Sequence, residues 1–111
     1  MRQWLVPTEY LCDRHLLGEH LEHHMFVGSL NKNKSIKGFI EKGLVEPLTL
    51  QKRHDDLVRE MSKRKMNHKS PLNQLIYLNK EGSVNIEQNI KELKNRCEKC
   101  RERILNYENN L

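Results

Sequence analysis

From Ile86 to the end of the chain, apolar side chains fall at alternating steps of four and three: Ile86, Ile90, Leu93, Cys97, Cys100, Ile104, Tyr107 and Leu111. That spacing keeps one face of a helix apolar and requires a second helix to bury it. The residues in between are almost all charged or amide, as a solvated face should be. The pattern predicts one helix, capped by Asn85 and running to Tyr107. Cys97 and Cys100 then lie in mid-helix on the core stripe. No segment alternates with the period of a strand, and no internal repeat or low-complexity tract interrupts the chain. The expected fold class is all-α: a compact single-domain helical bundle, residues 1–111, with a central N-terminal helix.

Only three Pro and five Gly punctuate the sequence. Pro7 and Thr8 open the first helix, with Thr8 as its N-cap, and Gly28-Ser29 close it. Ser35 caps a short helix over 36–42, stopped by Gly43. Pro47 and Thr49 precede a third helix over 50–65. A loop at 66–71 leads to a short helix over 72–79. On a helical wheel the first helix is apolar in several directions: Leu17, Leu21 and Met25 on one side, Leu16 and Val27 nearly opposite, Leu11 and Phe26 on a third. Such a helix is expected to be surrounded by neighbours. His15, Gly18, Glu19 and Glu22 share one of its faces. A carboxylate on a buried helix is costly unless it is paired or has work to do.

Charge is unevenly spread. The net formal charge is +5, and residues 30–69 carry eleven Lys/Arg against five acids. A basic stretch of that size favours a polyanion through counterion release; a merely soluble basic surface is the plainer alternative. The N-terminus has no apolar run of the signal-peptide kind, and no stretch is long enough to span a membrane. Three Cys, an odd number without a secretory context, fit a reduced cytoplasmic setting better than a disulfide scaffold.

Several constellations could carry chemistry. His20 and His24, four residues apart, could reach one metal ion with Glu19 or His23 nearby. The spread of these rings around the wheel and the lack of an HExxH motif favour surface or core-edge histidines. Cys97-x-x-Cys100 is a weak zinc signal alone, because a strong one has a second pair at matching spacing. Small buried hydrophobes are the better reading. His54 shares an apolar stripe with Leu50, Leu57 and Met61 and reads as a core-edge histidine, with DNA contact as the alternative. Glu22 and the chain terminus form the last pair. An α-amine ordinarily titrates near pH ~8, so a useful fraction is neutral at physiological pH. A neutral amine can attack a sugar C1′ and form a Schiff base, and an adjacent carboxylate could stabilise the positive sugar and move protons.

The segment Cys12-Asp13-Arg14-His15-Leu16-Leu17-Gly18-Glu19-His20-Leu21-Glu22 resembles the catalytic helix of the phage pyrimidine-dimer DNA glycosylase family, the endonuclease V type, whose pattern there is xDQHLxxEyxE. The resemblance sets His15 on the family's histidine, Glu19 on its first glutamate and Glu22 on its catalytic glutamate. A second match covers 50–67, with Lys52-Arg53 and Lys63-Arg64 on a similar basic helix. Likeness to the prototype covers about residues 1–70. The whole chain, including Arg96-Cys97 and Cys100-Arg101, is similar to a shorter phage and bacterial subgroup. The family is all-helical; its N-terminal amine forms a Schiff base, a glutamate assists, and the strand is cut by β-elimination. Counting back from His15 puts Met1 at the nucleophilic terminus and Arg2 on the family's arginine, so the register closes if Met1 is retained. Leu21 and Met25 replace two arginines of the prototype, and its aromatic-rich C-terminal segment is missing. The resemblance therefore implies chemistry at an abasic sugar more firmly than recognition of a pyrimidine dimer, the family's default lesion.

The expected function is a DNA glycosylase with abasic-site lyase activity. Met1 and Glu22 are the expected catalytic residues, and Arg2, Arg14, His15, Lys32, Lys34, Lys52 and Arg53 the expected DNA contacts. Its partner would be double-stranded DNA with damaged or abasic sites, acted on by a monomer. No cofactor is needed and no residue is assigned to a metal. The alternatives are a non-catalytic DNA-binding protein on the same fold, and a metal-binding helical protein using the His cluster with or without the CxxC.

Overall fold

Cys12, not Thr8, starts the first long helix. In the computed structural model, which describes residues 1–67 and 82–110, Thr8–Tyr10 forms a single 3-10 turn. Leu11 then returns to extended backbone and is fully buried. Helix α1 runs over Asp13–Asn31, with Cys12 at the N-cap and Asp13 complementing the helix dipole in the first turn. It passes Gly28 and stops where Asn33 takes a left-handed φ of 58°, a conformation asparagine tolerates better than most residues. Ser35 accepts the Lys37 amide at 3.2 Å and opens the short helix α2, Lys37–Glu41. Gly43, at φ 69°, reverses the chain after it. A 3-10 turn at Pro47–Thr49 leads into α3, Leu50–Lys63. The short helix expected over 72–79 lies outside the described residues.

The expected single C-terminal helix is two helices. Asn85 caps α4, Ile86–Arg96, by accepting the Gln88 amide at 3.0 Å. At Cys97 the backbone opens to φ −132°, ψ 112°, and α5 begins anew at Glu98–Asn109 with Cys97 as its N-cap. One extended residue shifts the phase of the apolar stripe. Leu93, Cys100 and Ile104 are buried, whereas Ile86 and Tyr107, expected on the same buried face, are 42% and 44% exposed. No strand occurs among the described residues, so the protein is all-α. No helix among them is long and apolar enough to cross a membrane.

Helix α1 packs chiefly on α3, and α5 packs on the 3-10 turn at Thr8–Tyr10. Two apolar clusters result. One gathers Trp4, Val6, Leu11, Leu16, Leu57, Met61, Leu93 and Ile104; the other gathers Phe26, Val27, Leu30, Ile36, Val45 and Leu50. Between them the α1–α3 contact is polar. Glu19, His23 and Arg53 are buried there, together with Gln3 from the N-terminal segment. The expectation of a helix enclosed on all sides is corrected on one edge. Leu17, Leu21 and Met25 face solvent, at 45%, 60% and 48% exposure, because the N-terminal segment and α3 occupy the other sides and nothing described covers this one. Leu5 sits at φ 56° between buried Trp4 and Val6, a left-handed turn that costs a non-glycine residue roughly 1–2 kcal/mol.

Candidate functional site

The polar layer fixes the N-terminal segment. Gln3 is wholly buried. Its backbone amide donates to the Leu44 carbonyl at 2.7 Å, and its side-chain oxygen accepts the Glu46 amide at 2.6 Å. Its side-chain nitrogen lies 2.9 Å from His23 Nε2 and 3.3 Å from Thr49 Oγ1. With Gln3 donating to Nε2, His23 carries its proton on Nδ1, which meets the Glu19 carbonyl oxygen at 2.8 Å. Burial holds the His23 pKa below its ordinary value; Glu19 opposes this, and Arg53 and His54 reinforce it. Arg53 closes the layer with three bonds: Nε and Nη2 to the two Glu19 oxygens at 2.6 and 2.9 Å, and Nη1 to the Val6 carbonyl at 2.7 Å.

So anchored, the chain start runs alongside α1, and the Arg2 amide donates to Glu22 Oε2 at 3.2 Å. The Arg2 guanidinium lies 3.7 Å over the Trp4 ring. It bonds Asn89 Oδ1 at 2.7 Å and pairs with Glu92 at 2.8 Å, both on α4. These groups border a cleft of about 470 Å³, lined by Arg2, Trp4, Arg14, His15, Glu22 and Arg96 among others. Arg14 and Arg96 are exposed at its edge. The His15 ring packs edge-on to Trp4. Burial, with Arg14 and Arg96 near it, keeps His15 below the usual imidazole pKa. The cleft thus sets Arg2, Arg14 and Arg96 around Glu22, with Glu19 held by Arg53 at its floor and Glu92 pairing Arg2 and Arg96; arginines so placed can meet phosphates on either side of a reacting centre.

Met1 is half-buried and packs against the Phe26 cluster. It lines a neighbouring hollow of about 270 Å³ with Met25, Gly28, Ser29, Lys32 and Lys34. Seven of the sequence-derived site residues therefore lie in or beside the cleft or this hollow: Met1, Arg2, Arg14, His15, Glu22, Lys32 and Lys34. Lys52 does not join them: it is exposed on α3 and paired with Asp56 at 2.7 Å. Arg53 is corrected from a DNA contact to an interior group, 6% exposed and turned onto Glu19. It sits on the inner face of α3, one residue from the outward Lys52. Trp4, Asn89, Glu92 and Arg96 were not singled out as site residues. Asn89 carried a usable signal in its spacing, three residues after Ile86 and four before Leu93, and it is buried beside Leu93 on α4.

Among the described residues, two groups of donor atoms lie close enough to share an ion. Cys12, His15, Cys97 and Cys100 form one, and His20, His24 and His54 the other; within each, one ligand atom per residue falls within 4.8 Å of the rest.

An arginine-edged cleft built on the chain's own first residues is the kind of surface a nucleic-acid backbone can enter. The sequence profile of the pyrimidine dimer DNA glycosylase family matches residues 1–74. That stretch holds α1, α3 and the whole N-terminal segment, and the chain belongs to this family. Family membership makes it a DNA glycosylase of the DNA-repair type, with DNA as substrate. Neither the comparison with curated proteins nor that with solved structures finds a match.

Proposed function

We propose that this DNA glycosylase is also an abasic-site lyase, with the Met1 α-amine as nucleophile and Glu22 as the proton-transfer and charge-stabilising group. The observation that carries the reading is the 3.2 Å bond from the Arg2 amide to Glu22 Oε2. It ties the carboxylate to the residue next to the amine. In the proposed step the amine lone pair forms a bond to sugar C1′, and the C1′ oxygen leaves as water, giving a protonated Schiff base. Loss of a C2′ proton then pushes electrons into the C2′–C3′ bond, and the 3′ phosphate departs. Glu22 offsets the cationic intermediate and takes or returns protons. Arg14 at the cleft edge, with Lys32 and Lys34 beside Met1, would hold the flanking phosphates, whereas Arg96 is paired with Glu92 at 3.1 Å. Arg2 is already matched by Glu92, so its work is to fix the terminus. A sugar carbon inside a duplex must be exposed, so kinked DNA or a flipped nucleotide accompanies the reaction.

The test is borohydride trapping on duplex DNA with one abasic site. The expected result is a covalent adduct mapped by peptide mass to Met1, absent when the terminus is blocked. Glu22→Gln should cut strand cleavage by roughly 10²–10⁴-fold, the range for a lost acid–base group. An adduct that survives terminal blocking, or none at all with the unmodified protein, overturns the amine mechanism. Ultraviolet-irradiated, alkylated and plain abasic duplexes run in parallel would identify the lesion.

A further inference from the structure

We propose that Cys12, His15, Cys97 and Cys100 form a structural zinc site that clamps the start of α1 to the α4–α5 junction. Cys12 Sγ lies 3.9 Å from Cys97 Sγ. His15 Nδ1 lies 3.2 Å from Cys12 Sγ and 3.4 Å from Cys100 Sγ. Tetrahedral zinc with Zn–S near 2.3 Å and Zn–N near 2.0–2.1 Å sets its ligand atoms about 3.8 Å apart for two sulfurs and about 3.5 Å for sulfur and nitrogen. These three separations lie within about 0.3 Å of that shell, and all four donor atoms lie within 4.8 Å of one another. They suit a disulfide poorly, since bonded sulfurs sit about 2.0 Å apart, and all three cysteines are free.

The surroundings agree. Two pairs share one spacing, Cys12-x-x-His15 and Cys97-x-x-Cys100, and each begins at a helix N-cap. Helix N-termini favour the negative charge of thiolates. Backbone amides already point at sulfur: Cys12 N–H to Cys100 Sγ at 3.3 Å, and Cys100 N–H to Cys97 Sγ at 3.5 Å. Such bonds orient metal-bound thiolates. On binding, the three thiols release their protons to solvent, and the zinc with three thiolates carries one net negative charge beside Arg14 and Arg96. Four protein ligands close the shell, which makes the role structural rather than hydrolytic. The clamp joins residues 85 apart in sequence. It also sets one wall of the cleft, because His15, Arg96 and Cys97 line it. Zinc occupancy does not depend on the lyase mechanism.

The full chain, purified under reducing conditions without chelator, should carry one zinc per molecule by native mass spectrometry. Cobalt(II) added to the chelated protein should give tetrahedral ligand-field bands with thiolate-to-metal charge transfer. The double variant Cys97→Ser/Cys100→Ser should lose the zinc, while His24→Ala keeps it. If the double variant fails to fold, the wild-type cobalt spectrum decides by itself. Wild-type protein free of metal and without the cobalt–thiolate bands overturns the proposal. So does zinc that survives the cysteine changes and vanishes with His24→Ala, which would locate it at the His20, His24 and His54 group. A Cys12–Cys97 disulfide in metal-free protein, counted as two missing thiols, also overturns it.

Discussion

Arg53→Met tests the polar layer most directly. The guanidinium makes three bonds of 2.6–2.9 Å, two to Glu19 and one to the Val6 carbonyl, and the two side chains are 6% and 0% exposed. Methionine keeps most of the volume and removes all three bonds, stranding a carboxylate and a carbonyl. Three charge-assisted bonds at about 1.5–3 kcal/mol each would sum to more than such changes cost, because water and protonation recover part of the loss. Breaking one partner of a buried pair costs roughly 3–5 kcal/mol, and that is the expected destabilisation. Against a typical total of about 5–15 kcal/mol it is at least about a fifth of the fold's stability. Replacing both partners, as Glu19→Leu/Arg53→Met, should restore stability to within about 2 kcal/mol of wild type, since no buried charge is left behind. Urea unfolding followed by helical circular dichroism reads both. A single-variant loss below about 1 kcal/mol, or a double variant worse than the single, would refute the interior assignment. If Arg53 contacted phosphate instead, the single variant would fold normally and the salt dependence of DNA binding would fall by about one unit in slope.

Two further outcomes follow from local geometry. Burial holds the His23 pKa below 6.5, so above pH ~6.5 both folded and unfolded chains hold it neutral and its contribution is flat. Below that, the unfolded chain takes up a proton the folded one refuses, and stability falls by up to about 1.4 kcal/mol per pH unit until the folded pKa is reached. The difference between wild type and His23→Gln in urea melts from pH 7.5 down to about 5 isolates this group; identical slopes for the two proteins would contradict it. At Gly82 a Cβ would meet the Val45 carbonyl oxygen at 2.7 Å and Pro47 Cδ at 3.1 Å. Gly82→Ala should therefore cost about 1–3 kcal/mol, measured by thermal melting, and an unchanged melting temperature would show that the two segments can separate freely.

Helical class, the Asn85 cap and the His15/Glu22 face were legible in the sequence because each rests on spacing along one element, whereas the short helix expected to be capped by Ser35 has Ile36 at its N-cap. Features set by contacts between elements were not. Glu19 and Arg53 are 34 residues apart, and nothing in 50–65 separates an arginine turned inward from the lysine beside it. The exposed edge of Leu17, Leu21 and Met25 was invisible for a related reason: three apolar residues in a row on a helix face announce burial, and only the arrangement of neighbours shows that none reaches them.

Cys97 connects the misread helix to the proposed zinc site. Its apolar phase fitted a continuous stripe from Ile86 to Leu111, so the sequence favoured a cysteine packed in mid-helix. The extended backbone at Cys97 instead ends α4 and caps α5. That break turns its sulfur towards Cys12, 3.9 Å away, and leaves Arg96 on the cleft wall. A helix that simply continued would put residues 97 and 100 on the pitch of the stripe and would not give residue 97 a cap position. The second pair is harder to see in the sequence because it is Cys-x-x-His, on a helix whose His15 also suits a DNA contact. Once both pairs lie at helix N-caps, the local departure from helix and the donor cluster have one physical cause. A zinc ion bound there would then hold the C-terminal helices against the N-terminal site, adding to the apolar cluster that already joins Leu11, Leu16, Leu93 and Ile104.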